Sequence, residues 1–326
     1  MNVVTPKIRM GFVGGGEGAF IGKAHRQAAG LDGHFELVCG AFSRDARNNQ
    51  DSGAALGLPA SRCYNDWQHM LAAERALPAD QRMELLVIVT PNHLHAPIAS
   101  QALSAGFHVF SEKPAALNLA ELLALKAVLK SSDRLYGLAH TYLGYPMVWQ
   151  ARKMVRTGVI GAVRKVMVEY PQGWLSRDVA GQGNKQAGWR DQPEQSGLGG
   201  CIGDIGTHAF SLAEFVADQP IEQICATLGV HIAGRQLDDD AAMLLKMAAG
   251  ATAIGDLTVI GGVDVERQDN RSERYNTAAQ VRTARTRDQQ FDFNTVGAFA
   301  QAVIRPVKGL TITPALRFDQ IRGSYL

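Results

Sequence analysis

The chain has 326 residues, of which 46% are hydrophobic and 20% are charged, and its net charge at neutral pH is +2. This length corresponds to about two domains of roughly 150 residues each and is sufficient to bury a large core. The composition excludes a small disulfide-rich scaffold, a disordered chain and a low-complexity chain, and the slight basic excess gives no indication of a nucleic-acid partner.

The cysteines and the apolar runs indicate the compartment. Cys39, Cys63, Cys201 and Cys225 are widely separated and form no CxxC or CxxH pair. We therefore expect isolated thiols in a reducing compartment and no metal site. The apolar run at residues 10–13 is too short for a signal peptide, and no run of about 18 apolar residues that could span a membrane occurs. A cytoplasmic protein without a membrane span is the expectation.

The first half of the chain alternates short apolar runs with helical patterns. Strands are predicted at residues 7–13, 35–41, 85–90 and 108–111, and helices at 22–29, 95–105 and 117–130. The run at 85–90 is almost wholly apolar, as a strand covered on both faces must be. Strands separated by helices predict βαβ units, and hence an α/β fold with a Rossmann-type, doubly wound parallel sheet.

A glycine cluster follows the first predicted strand. Residues 14–19 read GGGEGA, which fits the fingerprint G-x-G-x-x-[GA] between a strand and a helix. Gly14 would allow the tight turn, Gly16 would let a pyrophosphate approach the backbone, and Ala19 completes the pattern. The loop continues through Phe20 and Ile21 into a helix whose N-terminus would present N–H groups and a positive dipole to phosphates. This context predicts a nicotinamide-dinucleotide site.

The end of the second predicted strand bears on the choice between NAD and NADP. An NAD enzyme usually places an acidic residue there for the ribose 2′-hydroxyl. The chain instead reads Phe42-Ser43-Arg44, and its first acid is Asp45. Ser43 and Arg44 could hold a 2′-phosphate, because a guanidinium suits phosphate, and this favours NADP. The alternative is a solvated Arg44 beside an Asp45 that caps the next helix, which leaves NAD open.

Three further motifs complete the pattern: TPNHLH at residues 90–95, SEKP at 111–114 and GGCIGDIGTH at 199–208. With the glycine loop, their order and spacing over residues 7–255 are similar to those of the glucose–fructose oxidoreductase/inositol dehydrogenase (Gfo/Idh/MocA) family. The resemblance implies a Rossmann domain followed by an α+β domain with a mostly antiparallel sheet. It also implies an NAD(P)-dependent sugar or inositol dehydrogenase-like oxidoreductase, in which Lys113, Asp204 and His208 form the catalytic group.

The chemistry of these three residues is consistent with that role. Lys113 follows a predicted strand, where open α/β sheets bind ligands, and its ammonium can stabilise alkoxide character as a hydride leaves. Pro114 is a candidate for a cis peptide that fixes where the lysine points. Asp204 and His208 are spaced i, i+4, so on a helix they share one face. His208 is the natural proton acceptor, since its unperturbed pKa is about 6.5. Asp204 can accept hydrogen bonds from a polyol or orient the lysine.

Other residues are candidates for the walls of the site. Residues expected on the cofactor side, with His95 near the nicotinamide, are Thr90, Pro91, Asn92, His95, Glu112 and Lys113. Tyr142 is a candidate to bind substrate hydroxyls, with core packing as the alternative. A carbohydrate wall is also predicted, because aromatic faces pack on sugar C–H groups, and its candidate residues are Trp174, Lys185 and Trp189. His25 is expected to pack against the sheet without a chemical role.

The last seventy residues do not fit the resemblance. Residues 261–287 are rich in arginine and contain no lysine. Alternating apolar and polar residues at 296–304 and 310–318, around a turn at 306–309, predict an antiparallel hairpin. Its pattern resembles hairpins of TonB-dependent outer-membrane receptors. We therefore hypothesise that residues from about 256 onward are foreign to the dehydrogenase, the alternative being an unusual native sheet.

These observations predict three segments and one main function. Residues 1–137 are assigned to the NAD(P)-binding Rossmann domain, 138–255 to a truncated substrate domain and 256–326 to an atypical hairpin-rich tail. The leading hypothesis is hydride transfer between NADP or NAD and a secondary alcohol or ketone of a sugar or cyclitol. The alternatives are a catalytically impaired cofactor-binding protein of the same fold and a glycosidase that uses NAD as a redox aid. A homo-oligomer is expected if the second domain is intact.

Overall fold

The computed structural model describes residues 6–170, 172–173, 175 and 185–248, and the strands within 258–325. The chain divides into two compact units, Met1–Ala251 and Thr252–Leu326. The boundaries predicted near residues 137 and 255, and the foreign origin of the last segment, stay predictions.

A five-stranded parallel sheet organises the first part of the Met1–Ala251 unit. Its strand order is β2-β1-β3-β4-β5, and every neighbouring pair is parallel. The strands are β1 (Ile8–Gly14), β2 (Phe35–Ala41), β3 (Leu85–Val89), β4 (His108–Ser111) and β5 (Tyr136–Leu138). The doubly wound α/β fold predicted from the sequence is confirmed.

Five helices accompany this sheet: α1 (Ile21–Gly30), α2 (Ala46–Ala55), α3 (Trp67–Ala76), α4 (His95–Ser104) and α5 (Leu119–Lys130). The sequence predicts α1, α4 and α5 but not α2 and α3. Helix α2 buries Asn49, Ser52 and Gly53, so it has no apolar stripe to reveal it. In α5 only Leu125 is buried, because Leu119, Leu122 and Leu123 face outward.

The core lies on both faces of the sheet. Along β3, Leu86 and Ile88 belong to one buried cluster, whereas Val87 and Val89 belong to the other. This alternation follows from the two-residue period of a strand. It explains why the run is apolar at every position.

The second part of this unit is α+β. Its helices are α6 (Pro146–Arg156), α7 (Lys185–Arg190), α8 (Pro193–Ser196) and α9 (Thr207–Ala217), with a π-helical turn at Ile202–Gly206 before α9. Strands β6 (Ile221–Gly229) and β7 (Asp240–Met247) form an antiparallel pair. Among the described helices, none is both long enough and apolar enough to cross a membrane.

The Thr252–Leu326 unit is an antiparallel sheet built around one long strand. Its strands are β8 (Thr258–Ala278), β9 (Val281–Val307), β10 (Leu310–Ile312) and β11 (Ala315–Tyr325). Strand β9 pairs with the other three. Where the sequence predicts a hairpin, Ile312 lies opposite Ile304 and Leu310 opposite Val307.

Candidate active site

A cleft of about 760 Å³ opens at the carboxyl ends of β1, β3 and β4, where doubly wound sheets bind their ligands. It contains all the predicted site residues whose side chains the structure describes. They are Gly14, Gly16, Ala19, Phe20, Ile21, Ser43, Arg44, Thr90, Pro91, Asn92, His95, Glu112, Lys113, Tyr142, Trp189, Asp204 and His208. Trp174 and the side chain of Lys185 lie outside the described residues.

The glycine loop fits a dinucleotide. Gly14 and Gly15 have φ angles of 84° and 77°, a conformation that favours glycine. A Cβ atom on Gly22 would lie 2.6 Å from the Cα of Gly15, so helix α1 and the loop pack backbone to backbone. Phe20 gives α1 no side-chain cap, which leaves the helix N-terminus to a phosphate. The buried Thr90 hydroxyl on the facing wall has no hydrogen-bond partner among the described residues.

Arg44 and Asp45 follow β2 at the edge of the cleft, and Asp45 caps the next helix. Asp45 Oδ1 accepts a hydrogen bond of 2.7 Å from the Asn48 N–H and so caps α2. This is the capping role that the sequence offered as an alternative. Arg44 is exposed at the cleft rim, next to Ser43.

His95 and Asn92 hold the cleft wall together. Both ring nitrogens of the buried His95 lie at hydrogen-bond distance from backbone carbonyls, 2.7 Å to Pro114 and 2.8 Å to Thr90. The Asn92 amide donates to the carbonyl of Ser196 at 3.0 Å. Burial lowers the pKa of His95 although its carbonyl partners oppose that effect. His95 therefore links the ends of β3 and β4.

An ion-pair network brings the two parts of the unit together at Lys113. Its Nζ donates to Asp204 Oδ1 at 2.5 Å and to the Asp204 carbonyl at 2.6 Å. Arg190 Nε donates to Asp204 Oδ2 at 3.2 Å. Burial alone would raise the pKa of Asp204, but the charges of Lys113 and Arg190 hold it below its ordinary value. The Lys113–Pro114 peptide is cis, as predicted.

The sequence predicts neither the ion pair between Arg190 and Asp204 nor a second ion pair beside Lys113, which joins His25 and Glu112. His25 Nε2 lies 2.7 Å from Glu112 Oε1, and Glu112 Oε2 accepts a 3.3 Å hydrogen bond from the Lys113 N–H. Burial raises the pKa of Glu112, yet His25 and Lys113 together bring it below the usual range. The partners are 14 and 87 positions apart in the chain, so no local pattern could reveal either contact.

His208 lies in an aromatic pocket opposite Lys113. Its ring centroid is 4.8 Å from that of Tyr142 and 5.9 Å from that of His140. Burial, the charge of Lys113 and His140 lower the pKa of His208 to about 4, well below the ordinary value used in the sequence prediction. The hydroxyl of Tyr142 bonds that of Tyr170, and this contact with burial raises the pKa of Tyr142 to about 12.

The segment between Asp204 and His208 is not a regular α-helix. Asp204 lies in the π-helical turn Ile202–Gly206, and His208 follows in the first turn of α9. Both side chains still face the same cleft. π-helical turns occur often at functional sites.

Comparison with known proteins identifies the family of the chain. Residues 8–140 match the family described as "Oxidoreductase family, NAD-binding Rossmann fold", and residues 148–269 match "GFO/IDH/MocA C-terminal domain". The chain is 31% identical to oxidoreductase YfiI of Bacillus subtilis, over 76% of this chain and 64% of that protein. It is 30% identical to levoglucosan dehydrogenase of Pseudarthrobacter phenanthrenivorans, over 78% of this chain and 60% of that protein.

A solved structure extends the likeness to the fold. The crystal structure of an inositol dehydrogenase homolog complexed with NAD+, from Azotobacter vinelandii, has a TM-score of 0.72 and 27% identity over 96% of this chain and 76% of that one. The alignments to the two curated relatives cover less than two thirds of their length, 64% and 60%. The chain belongs to the Gfo/Idh/MocA oxidoreductase family, and its first domain is an NAD-binding Rossmann domain.

Proposed function

We propose that the chain is an NAD(P)-dependent dehydrogenase that transfers a hydride between nicotinamide and a secondary alcohol or ketone of a sugar or cyclitol. One observation carries this proposal. Lys113 follows β4, Asp204 and His208 lie in the helical segment around the start of α9, and all three line the same cleft as the glycine loop. A relative named levoglucosan dehydrogenase and a structural neighbour named as an inositol dehydrogenase homolog support the substrate class.

The bound nicotinamide would accept or return the hydride, and the chain's own residues would manage the proton and the charge on oxygen. Lys113, oriented by Asp204, donates to the substrate oxygen and stabilises its alkoxide character. His208 is neutral at neutral pH because its pKa is about 4, so its ring can accept the hydroxyl proton. Asp204 stays ionised beside Lys113 and Arg190.

The cleft wall suits a neutral polyol. Tyr142, Tyr145 and Trp189 all line it, and aromatic faces pack against sugar C–H groups. The Arg190 guanidinium lies 4.3 Å from the Trp189 ring centroid and is ion-paired with Asp204. The fixed charges are thus largely paired with each other, which favours a hydroxyl-rich substrate over a charged one.

Replacing Lys113 by Met tests the proposal. We expect turnover of a panel of sugars and cyclitols to fall about 100-fold or more, because one charge-stabilising donor is lost. Binding of NADH, followed by its fluorescence, should change by less than about threefold. The exposed Lys126 on α5 provides the matched control, Lys126→Met, which should leave turnover unchanged. Full activity in Lys113→Met would contradict the proposed mechanism.

The alternative, a cofactor-binding protein with impaired catalysis, rests on the sequence pattern of the last segment, since residues from about 256 onward do not fit the family resemblance. The alignments cover 64% and 60% of the length of the two curated relatives. Saturable binding of NADH together with no turnover of any polyol would favour this alternative. A cytoplasmic location and a homo-oligomer stay predictions.

A further inference from the structure

The turn that carries Asp204 has no capping side chain of its own. The helical segment begins at Cys201, directly after Gly199 and Gly200, which have no side chains. The first N–H groups of a helix need acceptors from outside the helix, and Ser, Thr, Asp or Asn at the cap usually provides one. At this position the acceptor must come from elsewhere in the chain.

Asp238 provides it from 36 to 38 positions away. Its Oδ1 accepts a 2.7 Å hydrogen bond from the Gly200 N–H, and its Oδ2 accepts one of 2.8 Å from the Ile202 N–H. Its backbone carbonyl accepts from the Cys201 N–H at 2.8 Å, and the Cys201 thiol donates to Oδ2 at 3.0 Å. Three consecutive N–H groups thus bind one residue.

The contact between Asp238 and the turn is buried, and it leaves no space for a side chain at Gly200. Asp238 is 8% exposed. A Cβ atom on Gly200 would lie 2.1 Å from the Asp238 carbonyl oxygen, so a glycine is needed for this approach. The negative carboxylate also faces the positive end of the helical segment, which favours the contact further.

The two neighbouring aspartates have other tasks. Asp239 accepts from the N–H groups of His231 and Ile232 at 2.8 and 2.9 Å, and so folds its own loop. The side chain of Asp240 is 65% exposed and lies 3.7 Å from His231. Only Asp238 of the three reaches the turn before α9.

We propose that Asp238 is a positioning residue that fixes the turn at 200–202, and thereby places Asp204 against Lys113 and His208 in the cleft. Asp204 follows the clamped residues by two positions, and its N–H bonds the Gly200 carbonyl at 3.0 Å. A small rotation of this turn would move the Asp204 carboxylate and carbonyl away from Lys113 together. This inference rests on the proposed function for its effect on turnover, but not for its effect on the turn itself.

The test compares Asp238→Asn with Asp240→Asn in the full chain. Asparagine keeps one acceptor oxygen but places an NH2 group, which is a donor, against the N–H of either Gly200 or Ile202. We expect amide hydrogen exchange in residues 199–209 to become about tenfold faster in Asp238→Asn, with NADH binding changed by less than about threefold. The His208 imidazole, followed by NMR, should titrate above its value of about 4 as the turn opens to solvent. Asp240→Asn should change none of these.

Turnover provides the second readout. We expect kcat in Asp238→Asn to fall about 10- to 100-fold with a smaller change in the substrate KM, because a misplaced group costs mainly the chemical step. If the unmodified chain binds NADH but turns over no polyol, the proposed function fails, yet hydrogen exchange and the His208 titration still decide the inference. Unchanged exchange and titration in Asp238→Asn, or equal changes in Asp240→Asn, would overturn it.

A second variant guards against a general folding defect. Gly200→Ala disrupts the same contact between Asp238 and the turn, but by a change in the turn itself, since the new Cβ would collide with the Asp238 carbonyl oxygen. We expect the same local exchange and titration changes with NADH binding retained. If both Asp238→Asn and Gly200→Ala lose NADH binding, Asp238 supports the whole unit rather than this turn, and the inference is wrong.

Discussion

His208 combines a lowered pKa with a position in the candidate active-site cleft. The value of about 4 arises from burial, from the charge of Lys113 and from His140. A protonated ring cannot accept a proton, so we predict that kcat/KM stays level down to about pH 5 and falls only as the pH drops through about 4. Initial rates between pH 3.5 and 8 measure this, and His208→Gln should remove that acid limb. An acid limb near pH 6.5 would contradict the burial argument.

Arg44 is the residue that bears on the choice between NAD and NADP. Asp45 caps α2 through its Oδ1, whereas Arg44 is exposed and lines the cleft. We predict that Arg44→Ala weakens NADPH binding about tenfold and leaves NADH binding nearly unchanged, as expected for one partly exposed charged contact. Fluorescence titration measures both. The control is Arg47→Ala in the first turn of α2, since Arg47 pairs with Asp51. Equal losses for the two nucleotides would refute the assignment.

At the scale of an element, the glycine loop depends on its contact with α1. The Arg26 guanidinium donates to the Gly15 carbonyl at 2.9 Å, and a Cβ on Gly22 would collide with the Gly15 backbone. We predict that Gly22→Ala displaces the loop, costs about 1–3 kcal/mol of stability and weakens NADH binding. Thermal unfolding and fluorescence titration measure these effects.

The same helix contains a matched control. At Gly30, at the end of α1, a hypothetical Cβ would have no heavy atom within 4 Å among the described residues beyond its chain neighbours and its own helix backbone. Gly30→Ala should therefore leave NADH binding unchanged and stabilise the helix by up to about 1 kcal/mol. If both alanines affect binding equally, the close approach of Gly22 to the loop is not what shapes the site.

The elements also show what the sequence could and could not predict. Strands β1 to β4 and the motifs at their ends are predictable because apolar runs and glycine patterns are local, whereas the sequence does not predict the short β5 or the β6–β7 pair. The sequence does not predict helices α2 and α3. For α2 the reason is clear, because this helix buries Asn49 and Ser52 and so has no apolar stripe that a sequence pattern could reveal. The contacts of Arg190, His25 and Asp238 were not predictable, since each joins residues far apart in the chain and depends on the tertiary fold.

At the scale of the whole molecule, the described site residues all lie in the Met1–Ala251 unit. If residues from about 256 onward are foreign to the dehydrogenase, we predict that protease rapidly trims the chain to about 255 residues and that the product still binds NADH. Mass spectrometry of the digest and fluorescence titration measure this. A full 326-residue chain that resists the protease along its whole length would contradict the hypothesis of a foreign tail.

Titration of the purified full chain with NADH and NADPH, followed by nicotinamide fluorescence, tests the central claim most directly. The structure places a glycine loop with left-handed Gly14 and Gly15, an uncapped helix N-terminus and the buried Thr90 hydroxyl around one cleft. We predict saturable binding of at least one nucleotide, and its loss or weakening in Gly22→Ala but not in Gly30→Ala. No binding of either nucleotide would contradict the assignment of this cleft as a cofactor site, and with it the proposed dehydrogenase activity.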